Sequence, residues 1–128
     1  MTLDHEGLEV YQIALDFLVI ANAIIEGLPR GRGHLSDQFT RASLSIVLNI
    51  AEGAGKHSKL DKRRYYLTAR GSATESAALV DVCYRLKLLE EHTSTAMDSS
   101  FLDFSGTGTH TFTFTFTFTG RTNSGTAT

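Results

Sequence analysis

Residues 41–72 read RASLSIVLNIAEGAGKHSKLDKRRYYLTARGS, and the spacing of apolar and polar residues in this stretch decides the fold. Ala42, Ile46 and Ile50 recur every four residues, with Leu44, Val47, Leu48 and Ala51 beside them. Such a period puts an apolar stripe along one side of an α-helix. Arg41, Ser45, Asn49 and Glu52 fall at the same period, so they share a second face. Gly53 and Gly55 then break the pattern. Ser58-Lys-Leu-Asp61 has the form of a capping box, with Asp in place of Glu, and opens a further helix. That helix can run to about Glu90, with Gly71 in its middle. An interior glycine costs about 1 kcal/mol against alanine, and a close neighbouring helix is the expected reason for it.

Working outward, the helix containing Arg41 is expected to start near Ser36, a suitable N-cap, with Asp37 favourable to the helix dipole. An earlier helix is expected over about Leu8 to Leu28, stopped by Gly27, Pro29 and the Gly31-Arg32-Gly33 turn. It carries two apolar rows, one through Tyr11, Leu15 and Leu18 and one through Val10, Ala14, Phe17, Ala21 and Ile24. Two rows on one helix predict packing against its own bundle and against a second element.

Beyond about residue 92 the composition changes from Leu, Ile, Ala and charged residues to Thr, Ser, Gly and Phe. Every odd position from Thr107 to Thr119 is threonine, and Phe112, Phe114, Phe116 and Phe118 alternate with them. Period two is the strand signature, and the run is β-prone and uncharged like a steric-zipper segment. An unselected dipeptide repeat would look the same. Two regions are therefore expected: a helical domain over 1–92 and a low-complexity tail over 93–128. The fold class expected is all-α, an up-and-down antiparallel bundle of three clear helices, with the fourth missing or replaced and the tail extended or β.

With 128 residues the chain is one domain's worth. Its 12 Lys and Arg against 14 Asp and Glu argue against a general polyanion binder, leaving room for a local basic patch. A single cysteine, Cys83, excludes an internal disulfide and a Cys-rich zinc site, and its helical context reads as core filler. The start MTLDHEGLEVYQ lacks a basic-then-apolar leader, and Ile13 to Ile25, broken by Asp16 and Asn22, is too short to span a bilayer. The expectation is a cytoplasmic protein with no membrane contact.

Chemistry-bearing residues form two groups. Lys56, Lys59, Lys62, Arg63 and Arg64, with His57 nearby and only Asp61 opposing, gather at a helix start, where free N–H groups already favour anions. Tyr65 and Tyr66 adjoin them and offer stacking surfaces for bases. The alternative is a solvated helix start whose cations meet neighbouring carboxylates. Arg41, Asn49, Glu52, Arg70 and Glu75 form the second group, expected as two Arg–Glu pairs fixing the register of antiparallel helices rather than as an active site. His5, His34, His57, His92 and His110 are scattered and make no metal-ligand pair on a helix. Neither glycine turn ends in the Gly-Lys-Ser/Thr of a phosphate loop, and no base accompanies Ser43, Ser45 or Ser72. No enzyme activity, cofactor, metal or small-molecule substrate is expected.

LEVYQIA at Leu8–Ala14, LP at Leu28–Pro29, LSDQFTRASLSIVLNIAEGAGKHS at Leu35–Ser58 and RYYLTARGSATE at Arg64–Glu75 resemble the four-helix-bundle family of 23S rRNA intervening-sequence proteins. The resemblance covers about residues 8–90. It implies an up-and-down bundle, often a homopentamer, connected with DNA inserted into ribosomal RNA genes. Related small bundles are accessory proteins of diversity-generating retroelements that bind nucleic acid and a reverse transcriptase. The chain departs from the family where a fourth amphipathic helix should follow. The functional expectation is a non-catalytic, self-assembling protein that binds RNA or DNA through the basic start of helix three. The alternative is a scaffold, such as a reverse-transcriptase accessory subunit, with no nucleic-acid contact of its own.

Overall fold

The structure is a computed structural model that describes residues 5–89, 103–106, 112–118 and 121–127. Three α-helices come first: α1 His5–Glu26, α2 Gly33–Ala54 and α3 Lys59–Arg85. The arrangement is all-α and antiparallel through this part of the chain. Gln38 near the start of α2 meets Glu75 late in α3, Ser45 meets Ser72, and Gly53 at the end of α2 meets Tyr65 and Tyr66 early in α3. α2 is the central helix and packs along both α1 and α3.

Each helix buries the stripe that its spacing provides. α1 contributes Val10, Ala14, Phe17, Ala21 and Ile24, and α2 contributes Phe39, Ala42, Ile46 and Ile50. The buried row of α3 is Tyr66, Ala69, Ala73, Ser76, Val80 and Cys83. Small residues in the middle of that row let the α2 and α3 backbones approach closely while Phe17 and Phe39 fill the interior. The two buried serine hydroxyls are satisfied within their own helices: Ser43 donates to the Phe39 carbonyl at 2.8 Å and Ser76 to the Ser72 carbonyl at 2.9 Å. The second row of α1, through Tyr11, Leu15 and Leu18, is half-buried against this core. Leu44 and Leu48, read from the sequence as flanking the α2 stripe, are instead exposed.

Helix boundaries differ from the expected ones: α1 spans His5–Glu26 rather than about Leu8 to Leu28, and the start of α2 and the end of α3 also move. α2 begins at Gly33, with Arg32 in the N-cap position and no side-chain cap, so Ser36 lies inside the first turn. Backbone bonds from Leu35 and Ser36 to the Arg32 carbonyl close that turn without help from a hydroxyl. α3 starts as expected, with the Ser58 hydroxyl accepting from the Asp61 N–H at 3.2 Å. It stops at Arg85, short of Glu90. The Leu88 N–H bonds to the Cys83 carbonyl at 2.9 Å and the Lys87 N–H to the Tyr84 carbonyl at 3.0 Å, which together form a Schellman motif. Lys87 occupies its left-handed position with φ 58°, where glycine is usual. Gly71 has nothing within 4 Å of a would-be Cβ among the described residues, so no described helix accounts for it.

In the tail, β1 Asp103–Gly106, β2 Phe112–Phe118 and β3 Arg121–Ala127 form an antiparallel sheet in the order β1-β2-β3. Phe114 pairs with Phe104 on one side and Gly125 on the other. The period-two run is thus the central strand, and β3 runs alongside α1. The expected boundary near residue 92 falls outside the described residues.

Two substitutions test this account. A Cβ at Gly53 would lie 2.9 Å from Tyr66 Cε1 and 3.0 Å from Tyr65 Cβ. Gly53→Ala is expected to cost about 1–2 kcal/mol, because overpacking outweighs the gain in helix propensity. Lys87→Gly is expected to stabilise by about 1 kcal/mol through relief of left-handed strain. Urea unfolding of each variant measures both.

Candidate nucleic-acid interface

The basic cluster is placed by the close packing of Gly53 beneath Tyr65 and Tyr66. That contact seats the end of α2 against the start of α3, and residues 55–58 turn between them. Tyr66 is buried by it and is not available to a base, which corrects half of the expected stacking surface. Tyr65 remains half-buried, and the Lys56 ammonium lies over its ring at 5.3 Å from the centroid.

The cations of the cluster are not equivalent. Lys56 is held by Glu52 at 3.2 Å, one helical turn back. Its pKa is raised, first by the hydrogen bond to Glu52, then by Tyr65 and by the carboxylate charge. Arg64 reaches Asp61 at 4.0 Å from an exposed position. Lys62 is half-buried, while Lys59 and Arg63 are exposed and have no ion-pair partner among the described residues. The open positive charge of the cluster therefore rests chiefly on Lys59 and Arg63, beside the first turn of α3. In that turn the Asp61 N–H is already used by Ser58.

The second group does not form the expected Arg–Glu pairs. Glu52 goes to Lys56 and Glu75 accepts from Gln38, while Arg41 and Arg70 are exposed. Asn49 donates to the Ser45 carbonyl at 2.8 Å and to the Ser45 hydroxyl at 3.0 Å. Ser72 donates to Ser45 at 2.9 Å across the helix pair. Register between α2 and α3 is therefore marked by neutral or singly charged hydrogen bonds, Gln38–Glu75 and Ser45–Ser72. Gln38 and Ser72 carry no charge and so give no pairing signal in the sequence, and their facing positions depend on the crossing of two helices. Arg70 misses because it projects from the side of α3 away from α2. Glu75 lies five residues further on, more than a full turn round the helix.

Elsewhere, burial raises the pKa of the Cys83 thiol, with Arg32 opposing weakly, so this side chain is a protonated core filler. No group of three or more His, Cys, Asp or Glu side chains among the described residues is placed to hold a metal ion. No described helix is long and apolar enough to cross a membrane.

The family model described as 23S rRNA-intervening sequence protein matches residues 6–105. The chain belongs to that family. The match extends beyond the 8–90 over which the resemblance was legible, and it leaves the Thr–Phe repeat outside. A search of curated proteins finds no match. Family membership accords with the helical fold around the α2–α3 elbow, where Asn49, Glu52 and Gly53 fall within the motif NIAEG.

Because Lys56 is held above its ordinary 10.5 as a cation, its stabilising contribution is complete below pH 10.5 and fades as pH rises through the folded value. Glu52→Gln is expected to lower the Lys56 pKa. An NMR titration of the lysine side-chain resonances checks this, and an unmoved pKa would show that Glu52 is not the cause.

Proposed function

We propose that this family member is a non-catalytic, self-assembling protein that binds nucleic acid through the start of α3. The observation that carries the reading is the exposed pair Lys59 and Arg63, uncompensated among the described residues. Arg64 stands beside them and Lys62 lies in the first turn of α3, at a helix start of the kind that favours anions. Phosphate oxygens are the natural partners of such a cluster, and half-buried Tyr65 adds a ring edge next to it. Recognition of this kind reads backbone charge and shape more than sequence. In an assembly the cluster would repeat on every subunit, so that weak single contacts combine.

Binding to an unstructured RNA should weaken steeply with salt, with log K falling by about 0.7 per phosphate contact for each unit of log salt concentration. The triple variant Lys59→Gln, Lys62→Gln and Arg63→Gln is expected to flatten that slope by about two. Fluorescence anisotropy across a salt series measures it. Affinity insensitive to both salt and these residues would favour the scaffold reading, in which the protein docks other proteins and leaves nucleic acid to them.

A further inference from the structure

Two exposed stripes, one on α1 and one on α3, have complementary chemistry. On α1, Glu9, Gln12, Asp16, Val19, Ala23 and Glu26 are all exposed and recur at alternating intervals of three and four. This is the spacing of a coiled-coil seam. The stripe holds three carboxylates and no cation, and Val19 at its centre is 71% exposed. On α3, Leu60, Arg63, Leu67, Arg70 and Thr74 follow the same spacing and are likewise exposed. That stripe holds two guanidiniums and no carboxylate, and Leu60 is 68% and Leu67 40% exposed. Arg63 and Arg70 are seven residues apart, and so are Glu9 and Asp16. Two turns of helix separate the members of each pair by about 10 Å, so both guanidiniums can meet both carboxylates at once.

None of these five charged groups has an ion-pair partner among the described residues. They do not satisfy one another within a chain: α1 and α3 each pack chiefly on α2, and both stripes lie on exposed faces away from the buried rows. We infer that the acidic stripe of α1 docks against the basic, leucine-studded stripe of α3 on a second copy of the chain. This rests on the self-assembly part of the function proposed above and specifies its contact. The occupant is a second copy because the chain itself carries the complement of each stripe in matching charge and spacing. Different surfaces meet, so the contact is heterologous, and repetition yields a closed ring or an open filament. Arg63 belongs both to this stripe and to the basic cluster, so a neighbouring subunit and a nucleic acid compete for it.

Sedimentation velocity of the full chain without RNA tests the contact. Glu9→Lys with Asp16→Lys, and separately Arg63→Glu with Arg70→Glu, should each reduce the sedimenting mass to that of one chain at a concentration where the natural protein is assembled. Combining all four substitutions should restore the assembly. Far-UV circular dichroism establishes that each variant keeps its helices. An assembly unmoved by either reversal overturns the inference, as does a folded four-fold variant that stays dissociated. If the arginine reversals abolish RNA binding but leave the mass unchanged, α3 serves nucleic acid alone and the inference fails while the functional reading stands. A natural protein that assembles through these stripes yet binds no RNA supports the inference and removes nucleic-acid binding from the proposed function.

Discussion

The absence of a side chain at Gly53 allows Tyr65 and Tyr66 to close over the end of α2, and the remaining geometry follows from that approach. With the two helices touching at the elbow, Ser45 lies opposite Ser72 and Gln38 opposite Glu75. Tyr66 then joins the buried core cluster, which also takes in Ile50 and Ile46 of α2 and Phe17 of α1. A larger residue at position 53 would separate α3 from α2 where the chain reverses. Because helices are stiff, that displacement would spread along the pair.

The same approach sets the electrostatics at the start of α3. It draws Lys56 over Tyr65 and within reach of Glu52, which removes one cation from the cluster. Lys59 and Arg63 are left facing water. Exposed pairs such as Arg64–Asp61 contribute little to stability. The charge at this end of the molecule is therefore available for association, whether with phosphate or with the carboxylates of a neighbouring helix.

Most of the helical architecture was legible because burial follows periodicity. Val10, Ala14, Phe17, Ala21 and Ile24 were readable as one row, and all are buried. Ser58 was readable as a cap because hydroxyl-to-amide capping is local chemistry. The stop at Arg85 was not, since a lysine in the left-handed position imitates the glycine that usually marks a helix end. The beginning of α2 was misplaced for a related reason: its first turn closes on backbone bonds to Arg32 and needs no capping side chain. Leu44 and Leu48 illustrate a different limit. Hydrophobicity alone does not say whether a residue beside the stripe faces the core or the outside, and these two face outside.

In the candidate site, the location of the positive charge was readable and its partition was not. Sequence by itself determined the helical periods, the elbow at Gly53, the cap at Ser58, the basic run and the alternating strand of the tail, because each depends on residues within a few positions of one another. Tertiary structure alone decided that Tyr66 is buried, that Glu52 takes Lys56 and Glu75 takes Gln38, and that Arg41 and Arg70 stay exposed and pair with neither carboxylate. Those outcomes depend on the rotation of one helix about its axis relative to the next. That rotation is set by which small and large side chains interlock across the interface, a property of two distant segments that neither contains alone.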